Sequence, residues 1–296
     1  MPNDLSSNLV LDTIGKRTIT YLGNKFAPFS AFSTDFSDEL YTQGQNVRIP
    51  VATAGASVQT NPTNWESGNS NISNVNVLVN QYSVSFQLTP RELNNGFRLN
   101  QILDINLQNF ANKIVDVAFA PVTVTNFSSN ITVAQASLVA DNLKTAWAAI
   151  AKSSSKQLIL DSTAYSRFLP GTYTDEIGAR AGLAGFDGVH LHTRWTGAGS
   201  NVYGFAAGPG AIAMVAGLPE TVASEQFSGL GLEQSTLTIP LGGRGTLNQG
   251  AEGPSMQVQM TSWLSVATRV RWVSFDVMLG AAATGDTASG FIFKSA

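Results

Sequence analysis

The stretch from Leu99 to Val117 constrains this chain more than any other. Leu99, Leu103, Leu107, Phe110, Ile114 and Val117 recur at intervals of four, four, three, four and three, the period that places side chains on one face of an α-helix. Pro121 stops the run. Upstream, Thr89-Pro90-Arg91-Glu92 is a start signal: Thr89 can cap, Pro90 suits the first helical position and Glu92 completes a capping box. Beginning after Gly96, the striped helix has about 22 residues and a length of roughly 33 Å. Such a rod is a scaffold element rather than a loop.

Strand patterns flank it. From Gln45 to Leu88 the chain reads as a long hairpin, with Val47-Arg48-Ile49-Pro50-Val51 as one strand and Val75, Val77 and Val79 on the return. Tyr82, Val84, Phe86 and Leu88 continue in the opposite phase, and the change at Asn80–Gln81 predicts a bulge. Between the strands, 54–74 is rich in Gly, Ser, Asn and Thr around a lone Trp65, a long loop of the kind usually functional or mobile. Ahead of the hairpin, Leu9, Leu11, Ile14 and Ile19 suit a short amphipathic helix. Pro28 and the Phe26/Phe29/Phe32/Phe36 run favour an extended arm, packed on its own core or on a neighbouring subunit.

After the rod, a second helix is predicted over 134–152, with Val139, Leu143, Trp147 and Ile150 on one stripe. A buried strand follows at Gln157-Leu158-Ile159-Leu160. Asp161 or Ser162 then caps a short helix that Pro170-Gly171 stops. Sixteen of the 27 glycines lie in 182–253, where 206–216 and 237–239 read as strands between generous turns. The C-terminal part is β again: 256–260, then 265–278 with Val266, Val270 and Trp272 on one face and Val273, Phe275 and Val277 on the other, then Phe291-Ile292-Phe293. The fold class is mixed α+β.

Composition narrows the function. Charged residues are 12% of 296, against a usual value of about 25% in soluble domains. A surface so poor in charge suits a secreted β-rich protein or a subunit that buries much of itself against neighbours. A net charge of −3 gives no basic face for nucleic acid. The absence of cysteine removes disulfides, Cys-containing zinc sites and thiol catalysis. No apolar run is long enough for a transmembrane helix, and the polar segment Met1–Arg17 does not read as a signal peptide, so a cytoplasmic product is expected.

The search for chemistry yields little. His190 and His192, two apart in a strand, share a face with Asp187 near and could ligate a metal. No other histidine exists to complete the shell, so ordinary strand residues is the preferred reading. A Ser-His-Asp triad lacks the Gly-x-Ser-x-Gly elbow. Gly208-Pro209-Gly210-Ala211-Ile212-Ala213 fits a loose dinucleotide pattern, but Pro209 and the missing strand–helix–strand unit argue against it. Gly15-Lys16 lacks the upstream glycine of a phosphate loop. Asp35/Asp38/Glu39 and Asp175/Glu176 read as solvated surface. Arg269, Arg271 and Arg244 could meet phosphate, with salt bridges to a neighbouring chain preferred. No residue is assigned a catalytic, cofactor-binding or metal-binding role, and the chain is expected not to be an enzyme.

The order of elements resembles the major capsid proteins of tailed bacteriophages, the Hong Kong 97 fold. Leu160-Asp161-Ser162-Thr163-Ala164-Tyr165 is similar to the strand-to-helix step asparagine-proline-x-x-tyrosine of these coats. Ala184-Gly185-Phe186-Asp187-Gly188-Val189 resembles the alanine-glycine-phenylalanine-aspartate turn of the branch typified by the Salmonella podovirus coat, and Gly280-Ala281 after an alternating strand is also typical. The resemblance implies an N-terminal arm at 1–44, an extended loop at 45–88 reaching over an adjacent subunit, and a peripheral domain with spine helix at 89–133. It further implies an axial domain at 134–250, and peripheral strands with a tail at 251–296. Implied partners are many copies of itself in pentamers and hexamers, a separate scaffolding protein and a portal, around double-stranded DNA, in a virion assembled in the host cytoplasm. A mildly acidic wall suits DNA that must slide past it. The chain departs from the pattern in two ways. No lysine lies between Lys25 and Lys113, so the loop-lysine crosslink of some members is not possible, and there is no room for the inserted domain of the Salmonella-type coat. A nanocompartment shell of the same fold is the near alternative. A secreted adhesin would account for the Asn-X-Ser/Thr sites at Asn71, Asn126 and Asn130, and a hydrolase using His190 or His192 is a third reading.

Overall fold

The computed structural model describes residues 7–31, 33–34, 40–41, 44–54, 60, 71–93, 95–150, 156–168, 185–195, 201–208, 210–219, 232–241, 255–265, 267–268, 270–285 and 288–296. It opens with helix α1, Ser7–Phe26, followed by a 3-10 turn at Ala27–Ala31. This corrects the expected extended arm. Ile14, Thr18, Leu22 and Phe26 are all buried at four-residue spacing on one helix face, a stripe that the polar Thr18 disguises. Thr18 is accommodated because its hydroxyl donates to the Ile14 carbonyl at 2.8 Å. Pro28 ends the helix rather than preventing it. Phe26 stacks on Phe29, centroids 5.2 Å apart, and Phe29 meets Phe119 at 6.1 Å. These rings therefore pack on their own subunit; Phe32 and Phe36 lie outside the described residues.

Short strands β1, Ser33–Thr34, and β2, Leu40–Tyr41, precede the hairpin of β3, Asn46–Ala54, and β4, Asn71–Leu78. β5, Asn80–Leu88, follows after the single residue Val79. The predicted phase change is real, but no bulge makes it. β4 pairs with β3, whereas β5 leaves the hairpin and pairs with β13, Val270–Ala283. Val77 and Val79 pack with Ile49 against Ala213, Val215 and Met278, while Phe86 and Leu88 enter the main core on the other face. The chain changes sheets at Val79, and the inward side changes with it. Trp65 and most of the loop around it lie outside the described residues.

Thr89 begins the short helix α2, Pro90–Leu93, and its amide and hydroxyl both donate to Glu92 Oε2, at 2.7 and 2.8 Å. These bonds hold the Glu92 carboxyl below its usual range. The long helix α3, Gly96–Phe119, has its own cap: Asn95 Oδ1 accepts from the Phe97 and Arg98 amides at 3.1 and 3.3 Å. Its 24 residues bury Leu99, Leu103, Leu107, Phe110, Ala111, Ile114, Val115, Ala118 and Phe119. Full burial of each large side chain in this set stabilises by about 1.5–3 kcal/mol.

Past α3, β6, Asn130–Thr132, and a 3-10 turn lead to α4, Ala140–Ala149. This helix is shorter than predicted, and its buried stripe is Leu143, Ala146 and Ile150, not Val139 and Trp147. Val139 is extended, and its amide donates to Asn142 Oδ1 at 3.1 Å. Then come β7, Gln157–Leu160, and α5, Ser162–Ser166, with Asp161 Oδ1 accepting from the Thr163 amide. The remaining strands are β8, Gly188–Leu191; β9, Val202–Ala207; β10, Ile212–Pro219; β11, Glu233–Pro240; β12, Ser255–Ser265; and, after β13, β14, Gly290–Lys294. The expected strand over 206–216 is two strands in two sheets, one ending at Ala207 and the next beginning at Ile212, and Gly210 between them has φ +86°. β10 follows that turn instead of a helix, which removes the dinucleotide reading.

β13 is the axis of the main sheet. β5 holds one edge, from Arg271 facing Leu88 to Leu279 facing Asn80. β12 and then β10 share the other edge, with β11 outside β12 and β1 and β2 parallel to β10. α3 and α1 cover one face through Val273, Phe275, Val277, Val258 and Met260. α1 lies close to β11 because Gly15 and Gly23 face Leu237 and Pro240. The second sheet runs β6-β14-β9-β7-β8. One of its faces, with Ile159, Phe205 and Ile292, joins the main core; the other, with Leu158, Leu160, Tyr203 and Phe293, packs under α4 and α5.

The hairpin root leaves no space over β13. A Cβ on Gly280 would collide with the Leu78 carbonyl and lie 2.7 Å from Val77 Cγ1. Gly280→Ala should therefore lower stability by about 1–3 kcal/mol, the usual cost of overpacking, read as a reduced urea midpoint with an unchanged slope.

Candidate assembly surface

Many charges among the described residues are engaged within the subunit. Arg17 of α1 forms a two-pronged pair with Asp104 of α3, at 2.9 and 2.6 Å. Arg194 does the same with Asp116, at 3.0 and 2.8 Å. Arg271 donates to Ser262 at 2.7 Å and to Glu233 at 3.0 Å, which corrects the expectation that it bridges to a neighbouring chain. Arg269 and Arg244 lie outside the described residues, as do Asp35, Asp38, Glu39, Asp175 and Glu176.

Patches of the outward surface are built from hydroxyls, amides and a few apolar side chains. On the sheet face opposite α3, Gln81, Ser83, Ser85 and Gln87 of β5 are exposed. Ser83 and Ser85 hydroxyls meet the Ser274 hydroxyl at 3.2 and 3.1 Å, and Ser274 donates to Asp276 at 2.8 Å. Trp263 and Trp272 stack across the strands, 6.1 Å apart. On α3, Phe97 is 72% exposed and Ile105, two turns on, is 62% exposed. Leu78 at the hairpin root is 52% exposed. Desolvating neutral groups costs far less than desolvating charges, so such a surface can be buried against another protein at low penalty. Periodicity marks which residues a helix buries, and the exposed Phe97 and Ile105 carry no such signal.

The candidate catalytic and metal-binding groups are dispersed. His190 Nε2 is 3.2 Å from Gln157 Oε1, while His192 is buried against Phe119, ring centroids 4.3 Å apart. Asp187 accepts from the Lys156 amide at 2.7 Å. Among the described residues no group of three or more His, Cys, Asp or Glu could hold a metal. No helix among them is long and apolar enough to cross a membrane. Burial pushes the Tyr203 hydroxyl up to about 12.

The turn at 185–188 has a structural job. Gly185, at φ +89°, presents its carbonyl to Trp147 Nε1 at 2.8 Å, and Phe186 is fully buried in the second core. Lys156 Nζ sits 3.7 Å from the Trp147 ring centroid and donates to the Trp147 carbonyl, a cation–π contact. This clasp turns Trp147 away from the buried stripe of α4. Ala184 lies outside the described residues.

No family model matches the chain, and no curated protein sequence matches it. Solved structures do. The crystal structure of a virus-like particle from Pyrococcus furiosus is 10% identical, with 98% of this chain and 100% of that one covered and a TM-score of 0.51. A chain of Gordonia phage Cozz is 12% identical, with 92% and 87% covered and a TM-score of 0.50. This is the Hong Kong 97-like capsid fold. The hairpin, the long helix α3 and the two sheets are its parts, arranged in the expected α+β order. At these identities the likeness shows the capsid-like fold and leaves the Salmonella podovirus branch unselected.

Gly185 and Gly285 both have positive φ, +89° and +82°, but only Gly185 would bring a Cβ into contact, 3.1 Å from Trp147 Nε1. Alanine at either position costs about 1–2 kcal/mol for the left-handed backbone. Gly185→Ala should cost about 1 kcal/mol more than Gly285→Ala, as measured by thermal or urea unfolding of both variants.

Proposed function

We propose that this chain is the major shell protein of a virion, many copies of which close into an icosahedral particle around double-stranded DNA. The observation that carries the reading is the capsid-like fold running over nearly the whole chain, 98% and 92% of it in two comparisons. The neutral, partly apolar patches of the exterior support it, because interfaces shared by many copies favour surfaces of low desolvation cost. The hairpin is the element that reaches a neighbour: its root packs on β10 and β13, and a second subunit covers the part beyond, since a two-stranded ribbon alone in water is marginal. In this reading the chain is not an enzyme, works with a separate scaffolding protein and a portal, and is assembled in the host cytoplasm. In this reading the Gly185-Phe186-Asp187-Gly188 sequence supports a relation to the Salmonella podovirus branch. The second reading is a nanocompartment shell, favoured by the full-length match to the Pyrococcus furiosus particle.

Electron microscopy of the purified protein should show closed isometric particles, and a monomer under every assembly condition sinks the proposal. Nuclease-protected duplex DNA in particles from the native source supports the virion reading, whereas protein cargo without DNA supports the nanocompartment. Deleting 53–74 should leave the subunit folded by circular dichroism while sharply reducing particle yield. Phe97→Lys with Ile105→Lys should likewise preserve the fold, since both side chains are exposed, and reduce assembly at least tenfold, equivalent to about 1.4 kcal/mol, by sedimentation.

A further inference from the structure

His192 sits where the end of α3 meets the second sheet. Its amide donates to the Leu160 carbonyl at the end of β7, at 2.9 Å. Its ring lies flat on Phe119, the last residue of α3, at 4.3 Å and 17°, and edge-on to Trp195 at 4.8 Å and 78°. Trp195 also meets Phe119, at 5.5 Å. The residue is 6% exposed. Among the described residues neither His192 Nε2 nor Trp195 Nε1 has a hydrogen-bond partner, so a second proton, at Nε2, would find no acceptor; the ring's hydrogen bond with the Arg194 backbone favours the charged form, and burial outweighs it. Two residues on, Arg194 fastens the same segment to Asp116 of α3.

We propose that His192 is a proton-sensitive clamp, holding the segment after β8 to the end of α3 while neutral and releasing it when protonated. The inference concerns the single chain and stands whether or not copies form a shell. Burial is the dominant influence and pushes the ring down to about 4. The charged groups facing it are Asp116 from α3, Asp161 from the end of β7 and Arg194 from its own segment. The 3-10 turn Ala27–Ala31 brings none. His190, on β8, is also held down by burial and is engaged with Gln157.

The sign follows from the two states. With the clamp closed the ring resists protonation until about pH 4; once released into water it takes a proton at about 6.5. Opening therefore takes up a proton between these values, and acid favours it. Each pH unit inside the window raises the opening equilibrium up to tenfold, to a ceiling of about 300-fold. Above pH 6.5 the effect vanishes.

Hydrogen exchange of the full chain, corrected for intrinsic rates, tests this. Between pH 6.5 and 4.5, peptides covering 112–119 and 188–195 should lose protection by about 40-fold in the wild type. His190→Gln should retain most of that loss, and His192→Phe should abolish it. Equal slopes in the wild type and His192→Phe, or no loss in the wild type, overturns the proposal. If His192→Phe does not fold, His190→Gln leaves a single histidine for titration by nuclear magnetic resonance. A midpoint well below 6.5 supports the clamp and one near 6.5 refutes it.

Discussion

One dehydrated contact organises the molecule: the apolar face of α3 laid across β13 and β5. Leu103, Leu107, Phe110 and Ile114 on the helix share a core with Phe86, Phe275 and Val277 on the strands. β13 is paired along both edges, so β5, β12 and β10 all take their register from it. The C-terminal end of α3 continues past this sheet. Phe119 meets Phe29 and His192, and Phe127 meets Phe205 in the second sheet at 4.9 Å. α3 and the segment after it therefore tie the two sheets together, and close packing transmits a shift at one end to the other.

The sparse charge follows a similar logic. Arg17, Arg194 and Arg271 all have acidic partners in the same chain. The exterior of β5 is left to serine and glutamine, and the outer line of α3 mixes Phe97 and Ile105 with amides, Arg98 and Lys113. A charged exterior would keep copies apart through repulsion and desolvation cost. A neutral one lowers that barrier and leaves shape to decide which contacts form. The hairpin adds reach, and its direction is set at Gly280, where the absent side chain lets the Leu78 backbone approach β13.

Much of the framework was legible in the residues. The Leu99-to-Val117 stripe, the Gln157–Leu160 strand and the start at Thr89-Pro90 map onto observed elements because each rests on local geometry. α1 was misread because Thr18 interrupts its stripe and the phenylalanine run suggested an arm. α4 was rotated because Trp147 is held aside by Gly185 and Lys156, partners 38 and 9 residues away. The sequence alone reads 206–216 as one strand because both halves are apolar and small, and periodicity cannot tell a turn between two sheets from a continuing strand. Arg271 was assigned to a neighbour because its partner Glu233 is distant in sequence.

Local chemistry alone determined the helix, its start, the strand alternation and the poverty of charge, since each depends on residues within a turn or two of one another. The tertiary structure decided the rest: that Val79 is where the chain changes sheets, that His190 and His192 face different partners, and that His192 closes the seam between α3 and β7. Those outcomes depend on which distant segments are brought together, and on whether a polar ring ends in water or against Phe119. The residue order carries no direct record of either.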